Sequence, residues 1–441
     1  MSEIIQIQIG QCGSQIGENF WEKLIDEHKI DKNGKFCGTE NERFLLDNSK
    51  VHLDQNSKDR YTPRTVFIDL DSNVLENIKQ SSLNKLFKTE DMIYSNEGTG
   101  NCFPFGHYLS NEIVDKALER IRKKVEGCDK FHGFNLIYSL AGGTGSGLGT
   151  KLYEKLCTEY KSKCNSFNVI PHEKTKSNCL EVFNSTLALH HNIEYSNFIL
   201  LYDNNALINA CLSRMHIKSP NINNLNSLIS RTLLDLTACE RFPAQLKTGL
   251  IKIHQNLTHI SKDYSNDYGS RFCFNVPNIS IESKRLNDFN QEMYQLKDNN
   301  LLTLNNVRGK TLSFASLYRG KDLSMHDIFQ QVSNFQNKNA DYFCDNLAKN
   351  TLTGVCDISE MNSNISCLTI NNTTAIREPL SRLRQSCSQL SSKKAFYRWY
   401  INEGGMDEME FAEAEENIYY LAAEYEKIEK NEIEENIDET E

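Results

Sequence analysis

The sequence predicts an α/β protein: a parallel-sheet domain, a long central helix, a second α/β domain and a C-terminal helical hairpin. Three observations carry this. The run from Asn135 to Thr150, NLIYSLAGGTGSGLGT, passes from apolar residues through Gly142, Gly143, Gly145 and Gly147 into the helical segment KLYEKLCTEY. The N-terminus repeats the arrangement: IIQIQI runs through Gly10, Gln11, Cys12 and Gly13 into a helix carrying Ile16, Phe20, Trp21 and Leu24. Apolar residues then recur at helical spacing at Ile222, Leu225, Leu228, Ile229, Leu233 and Leu236, and again at Phe411, Ile418, Leu421, Tyr425 and Ile428.

A strand that enters a helix through glycines aims several backbone N–H groups and a helix dipole at one point, which suits a phosphate. A Cβ there would block close approach or strain residues at positive φ. Ser139 and Thr144 add hydroxyls to the Gly143–Gly145 loop. The two standard nucleotide motifs do not fit. A dinucleotide fingerprint needs an acid at the end of the next strand, where Phe167 to Pro171 ends in Pro171 and His172. A Walker loop needs GKS or GKT, and neither follows these glycines.

A length of 441 residues suits two or three domains, and 39% hydrophobic with 24% charged residues suits a soluble globular chain. The net charge of −10 is weighted toward an acidic C-terminus, and no basic patch points to nucleic acid. The 14 cysteines show no CxxC pair or zinc spacing and read as reduced thiols of a cytoplasmic protein. No apolar run approaches the ~20 residues of a membrane span.

In chain order, Ile4 to Ile9 alternates apolar residues with Gln, the pattern of a strand with one wetter face. Taken alone, the Gly10–Gly13 turn is equally an ordinary βα turn. Residues 34–60 are polar and uneven and read as an exposed loop. Thr65 to Leu70 is a strand ending in Asp69 and Asp71, two acids placed to hold Mg²⁺ against phosphate, or else to cap a turn. Asn111 to Val125 is a helix with an apolar face at Ile113, Ala117 and Ile121. Phe198 to Asp203 is a buried strand ending in Asn204 and Asn205, and the helix at 222–236 links the two halves. Leu257 to Asn299 is irregular, Thr311 to Arg319 recovers a strand pattern, and Glu378–Leu390 with Glu408–Glu429 form the final helix pair. The closing NEIEENIDETE is an acidic tail that reads as disordered.

Several stretches, in order over nearly the whole chain, resemble tubulins: GGTGSGLGT, MSEIIQIQIGQCGSQIGENFWEKL, QNKNADYF, NNTTAIREPLSRL and KAFYRWYINEGGMDEMEFAEAEENI. The likeness is to the β type in particular. It implies a Rossmann-like GTPase domain over 1–205, a central helix region at 206–242, an intermediate domain over 243–370, C-terminal helices over 371–430 and an acidic tail at 431–441. It implies GTP and Mg²⁺ as cofactors. Gln11 and Cys12 would contact the nucleotide, Asn101 would sit in the turn sensing the γ-phosphate, and Glu181 would contact the ribose. Asn204 and Asn226 would read guanine, which an amide does by accepting from N1–H and N2–H₂ and donating to O6. The chain departs from the family pattern at Asp71, where Glu is usual, at Ile222, where an aromatic stacks on the base, and in the lateral-contact segment within 257–299. Lys252 stands where an α-type subunit carries the acid that orients the attacking water, and Gly249 replaces a nearby aspartate. Hydrolysis of this chain's nucleotide would therefore need a partner subunit's loop.

The implied function is a structural, cytoskeletal β-like subunit that assembles head-to-tail with an α-type partner in microtubules or a specialised array. Motors and associated proteins would meet its C-terminal helices and tail. The departures motivate an alternative, a GTP-binding regulator or capper of microtubule ends that does not polymerise. A metabolic nucleotide enzyme is disfavoured, because no Ser/His/Asp or Cys/His constellation accompanies the glycine loop.

Overall fold

The computed structural model describes residues 3–56, 59–160, 163–171, 178–196, 198–258, 272–280, 300–304, 309–338, 340, 343, 351–360 and 364–430. The first half alternates strands and helices: β1 (Glu3–Ile9), α1 (Gly10–Glu27), β2 (Leu53–Gln55), β3 (Tyr61–Pro63), β4 (Thr65–Asp69), α2 (Ser72–Gln80), β5 (Met92–Tyr94), α3 (Phe103–His107), α4 (Asn111–Glu126), β6 (Phe131–Ser139), α5 (Gly149–Tyr160), β7 (Lys163–Ile170), α6 (Leu180–Tyr195) and β8 (Phe198–Asp203). After α7 (Asn204–Ser213) and the long α8 (Ile222–Arg241) come β9 (Ala244–Leu246), α9 (Leu250–Thr258), β10 (Phe274–Ser280), β11 (Thr311–Gly320), α10 (Met325–Lys338), β12 (Thr351–Cys356), β13 (Ile365–Thr373), α11 (Arg377–Ser391) and α12 (Met409–Lys430).

Eleven strands form one sheet in the order β5-β4-β1-β6-β7-β8-β10-β13-β11-β12-β9. From β5 to β8 every pairing is parallel, so the loops at the C-terminal ends of β1, β4, β6 and β8 share one edge. β10 joins the halves, pairing parallel with β8 and antiparallel with β13. Its interrupting polar residues are absorbed inside: Asn275 is buried, and its Nδ2 donates to the Cys273 carbonyl at 2.8 Å. The rest of the irregular stretch, 259–271 and 281–299, lies outside the described residues, as does the acidic tail 431–441.

The sheet is covered on both faces. Ile5, Ile7 and Ile9 join the core under α4, α5, α6 and the C-terminal hairpin, while Ile4 belongs to the core under α1, α2, α7 and α8. The expectation of a wetter face on β1 is therefore corrected: Gln6 and Gln8 are buried. A Cβ on Gly17 of α1 would lie 2.4 Å from the Gln8 side chain, so the missing side chain is what lets α1 lie on that polar row. Gln8 is hydrogen-bonded to the Thr65 hydroxyl.

Residues 34–60 are likewise not a plain exposed loop. They form 3₁₀ turns at Glu40–Leu46 and Ser49–Val51 and the start of the β2–β3 hairpin, and they bury Leu45, Val51, His52 and Leu53. Thr39 and Glu42 make a capping box at the first turn, with the Thr39 N–H donating to the Glu42 carboxylate at 2.8 Å. The α4 expectation holds, with Ile113, Ala117 and Ile121 buried and Lys116–Glu112 paired at 2.6 Å on the outer face. In the hairpin, Phe411, Ile418, Leu421, Tyr425 and Ile428 are buried as their spacing predicts. No helix among the described residues is long and apolar enough to cross a membrane.

Candidate functional site

The loops at the shared sheet edge enclose a cavity of ≈ 520 Å³, a size that suits a nucleotide-sized ligand. Turns that lie far apart in the chain meet there. Gln11 and Cys12 come from the first turn of α1, just after β1, Asp69 and Asp71 from the end of β4, and Asn101 from the 98–101 turn. Ser139 ends β6, Gly143, Thr144 and Gly145 follow it, and Asn204 and Asn226 stand near the starts of α7 and α8, with Ile222 beside them. Glu181 is not among the wall residues; it stands in the first turn of α6, half-buried.

Local geometry explains the glycines. Gly10 has φ +71°, and a Cβ on it would lie 3.3 Å from the Gly145 N, so the turns after β1 and β6 touch. A Cβ on Gly145 would lie 2.4 Å from the Ser139 carbonyl, whereas one on Gly142 would meet nothing within 4 Å. Thr144–Leu148 forms a π-helical turn leading into α5. Neither this turn nor α1 has a side-chain cap at its N-terminus, whereas α2, α7 and α8 are capped by Asp71, Asp203 and Asn221. Uncapped helix starts leave N–H groups for an anion.

Two buried polar atoms in the wall lack partners: the Asp69 Oδ2 and the Asn226 Nδ2. Burial pushes the Asp69 carboxyl up to about 6 against the hydrogen bonds that favour its charge. A cation near Asp69 and an acceptor near Asn226 would satisfy both, so these residues fit a magnesium nucleotide. Asp71 Oδ1 accepts from the Asn73 N–H at 3.0 Å, the capping role that is the alternative to metal binding. Burial pushes the half-buried Cys12 thiol up to about 12, which leaves it a neutral wall residue.

Residues 3–212 match the family model for the Tubulin/FtsZ GTPase domain, and residues 275–385 match that for the tubulin C-terminal domain. The chain belongs to the tubulin family. It is also similar to a tubulin beta chain of Cicer arietinum, 35% identical over 429 residues, which cover 97% of this chain and 95% of the relative.

The tubulin cavity contains residues that sequence reasoning missed. Gln15 lies one helical turn beyond Gln11, and Leu225 lies three residues beyond Ile222, so helical spacing alone would have found both. Val169, next to last in β7, pairs with Ser139 beside the glycine loop, a placement only the strand order reveals. Asn184 of α6 was missed as an organiser. Its Nδ2 donates to the carbonyls of Asn101 (2.7 Å) and Ala141 (2.8 Å), and its Oδ1 accepts from the Phe103 N–H (2.9 Å) and the Tyr400 hydroxyl (2.7 Å). One amide thus ties two cavity turns to the C-terminal region.

Proposed function

We propose that this tubulin binds GTP with Mg²⁺ and assembles head-to-tail with an α-type subunit, in cytoplasmic microtubules or a specialised array. The observation that carries the reading is the convergence of uncapped, glycine-bearing helix starts with the unpartnered Asp69 Oδ2 and Asn226 Nδ2 in one cavity. The glycine turns offer N–H groups to phosphates, Asp69 holds the metal, with Asp71 adding the oxygen that does not cap α2, and Asn204 with Asn226 reads the base. GTP supplies a phosphoanhydride whose hydrolysis is the chemistry of the site.

Lys252 bears on that hydrolysis at the opposite end of the subunit. It is exposed in α9, and its ammonium donates to the Lys247 carbonyl at 3.3 Å. An ammonium has no acceptor with which to orient a water on a neighbour's nucleotide. Gly249 has a packing reason: a Cβ there would lie 2.3 Å from Glu240 Oε1, the carboxylate oxygen that accepts from the Leu250 N–H at 2.9 Å. The outward face of α11 and α12, with the acidic tail, is the surface for motors and associated proteins. Ile222, 64% exposed at the cavity mouth, favours a second reading in which weaker guanine binding suits a non-polymerising end-capper.

Extraction of the purified, folded protein and chromatography of the released nucleotide test the first reading. GDP or GTP with about one Mg²⁺ per nucleotide is expected. ATP, NAD or no nucleotide would overturn it. Co-sedimentation with α-type tubulin polymer along its length, rather than at ends, separates the two readings.

A further inference from the structure

His107 at the end of α3, Glu154 of α5 and His191 of α6 approach one another behind the glycine loop, outside the cavity wall, their ligand-capable atoms all within 4.8 Å. His107 is buried, and its Nδ1 lies 3.3 Å from the Gly147 carbonyl and 3.2 Å from the Thr150 hydroxyl. A carbonyl only accepts, and the Thr150 hydroxyl already donates to the Ser146 carbonyl at 2.7 Å. Nδ1 of His107 therefore carries the hydrogen and Nε2 keeps its lone pair, the tautomer that metal-bound histidines show. The His191 Nδ1 is buried and has no hydrogen-bond partner. Phe103 stacks on both rings, with centroids at 5.0 Å from His107 and 5.8 Å from His191, which fixes their planes.

We propose that the imidazoles of His107 and His191 and the carboxylate of Glu154 form a transition-metal site of the zinc class, with a fourth position open to water. Two nitrogens and one carboxylate suit Zn²⁺, whereas Mg²⁺ and Ca²⁺ prefer all-oxygen sets. Bonds of about 2.0–2.1 Å bring tetrahedral donors to about 3.3 Å apart. Glu154 is free to move toward the imidazoles, since its side chain is 28% exposed and its Lys151 contact is 3.8 Å long. The occupied site would brace α3, α5 and α6 behind the π-helical turn through the His107–Gly147 contact. It does not depend on the nucleotide reading.

The test is titration of chelator-treated, full-length protein with Zn²⁺ by calorimetry, and with Co²⁺ by visible absorption. One Zn²⁺ per chain should bind saturably, with Co²⁺ giving the d–d bands of a nitrogen-containing site of low coordination number. His191→Asn and Glu154→Gln should each weaken this component at least about tenfold, the loss that even outer-shell partners of a ligand produce. Circular dichroism verifies that both variants fold, and His107 is left intact because it supports Gly147. Absence of a saturable one-per-chain component, or one that survives either variant unchanged, would overturn the proposal.

Discussion

Asp69 sets folding against binding. Burial raises its folded-state pKa from 3.8 to about 6, so the native state favours the protonated form. The sign follows: this contribution is fully present below the unfolded value and is lost as pH rises through the folded one. Asp69→Asn should stabilise nucleotide-free protein by ~1–3 kcal/mol at pH 7, with the gain vanishing near pH 4, and weaken Mg²⁺–GTP binding at least about tenfold. Urea unfolding at the two pH values and a nucleotide titration check this. Ile222 lines the cavity and is largely exposed, so Ile222→Tyr should tighten GTP by up to ~1–3 kcal/mol through stacking. Equal affinities would mean the base is held another way. At this scale the sequence pointed to residue types that line the cavity, but not to Asn184, whose role depends on four partners distant along the chain.

Elements are held to one another by buried polar links. Asn184→Ala leaves the buried Phe103 N–H without its acceptor, at about 1–3 kcal/mol, and leaves the Tyr400 hydroxyl to the more distant Leu180 carbonyl at 3.4 Å. A lower melting temperature and faster nucleotide release are expected. Unchanged release with lowered stability would confine Asn184 to a structural role. At the junction of α1, α8 and β11, Glu27 pairs with Arg241 at 2.7 Å and Arg319 at 3.0 Å, and Arg319 pairs with Asp235 at 2.9 Å. Burial alone would raise the Glu27 carboxyl, but the two guanidiniums outweigh it and hold it at about 2. Its contribution is therefore present above the unfolded value of 4.5 and is lost as pH falls toward 2. Glu27→Gln leaves buried positive charge uncompensated and should cost about 3–5 kcal/mol in urea unfolding at pH 7. Periodicity made α4, α8 and the hairpin legible. It failed over 34–60, where Leu45, Val51 and Leu53 are buried by elements far away in sequence.

Across the whole molecule, α8 links the site to the opposite end. It starts at the cavity with Ile222, Leu225 and Asn226, and its 20 residues carry the chain about 30 Å to Arg241, where β9 and α9 begin. The cavity and the 243–252 segment, which holds β9 and the start of α9, thus lie at different ends, and units stacked head-to-tail on such ends form an open filament. The order of the strands was not legible in the sequence, because β10 joins the halves through a short parallel register with β8, Phe274–Ile199 and Asn275–Leu200. In the proposed function a neighbour's acid completes this subunit's nucleotide site, while its own Lys252 completes none. GTP turnover by the dilute protein, with and without an α-type tubulin, tests it most directly. Negligible turnover alone, activation by the α-type partner, and self-activation at high concentration in Lys252→Glu are expected. Substantial turnover by the dilute protein alone, or none with the partner bound, would contradict it.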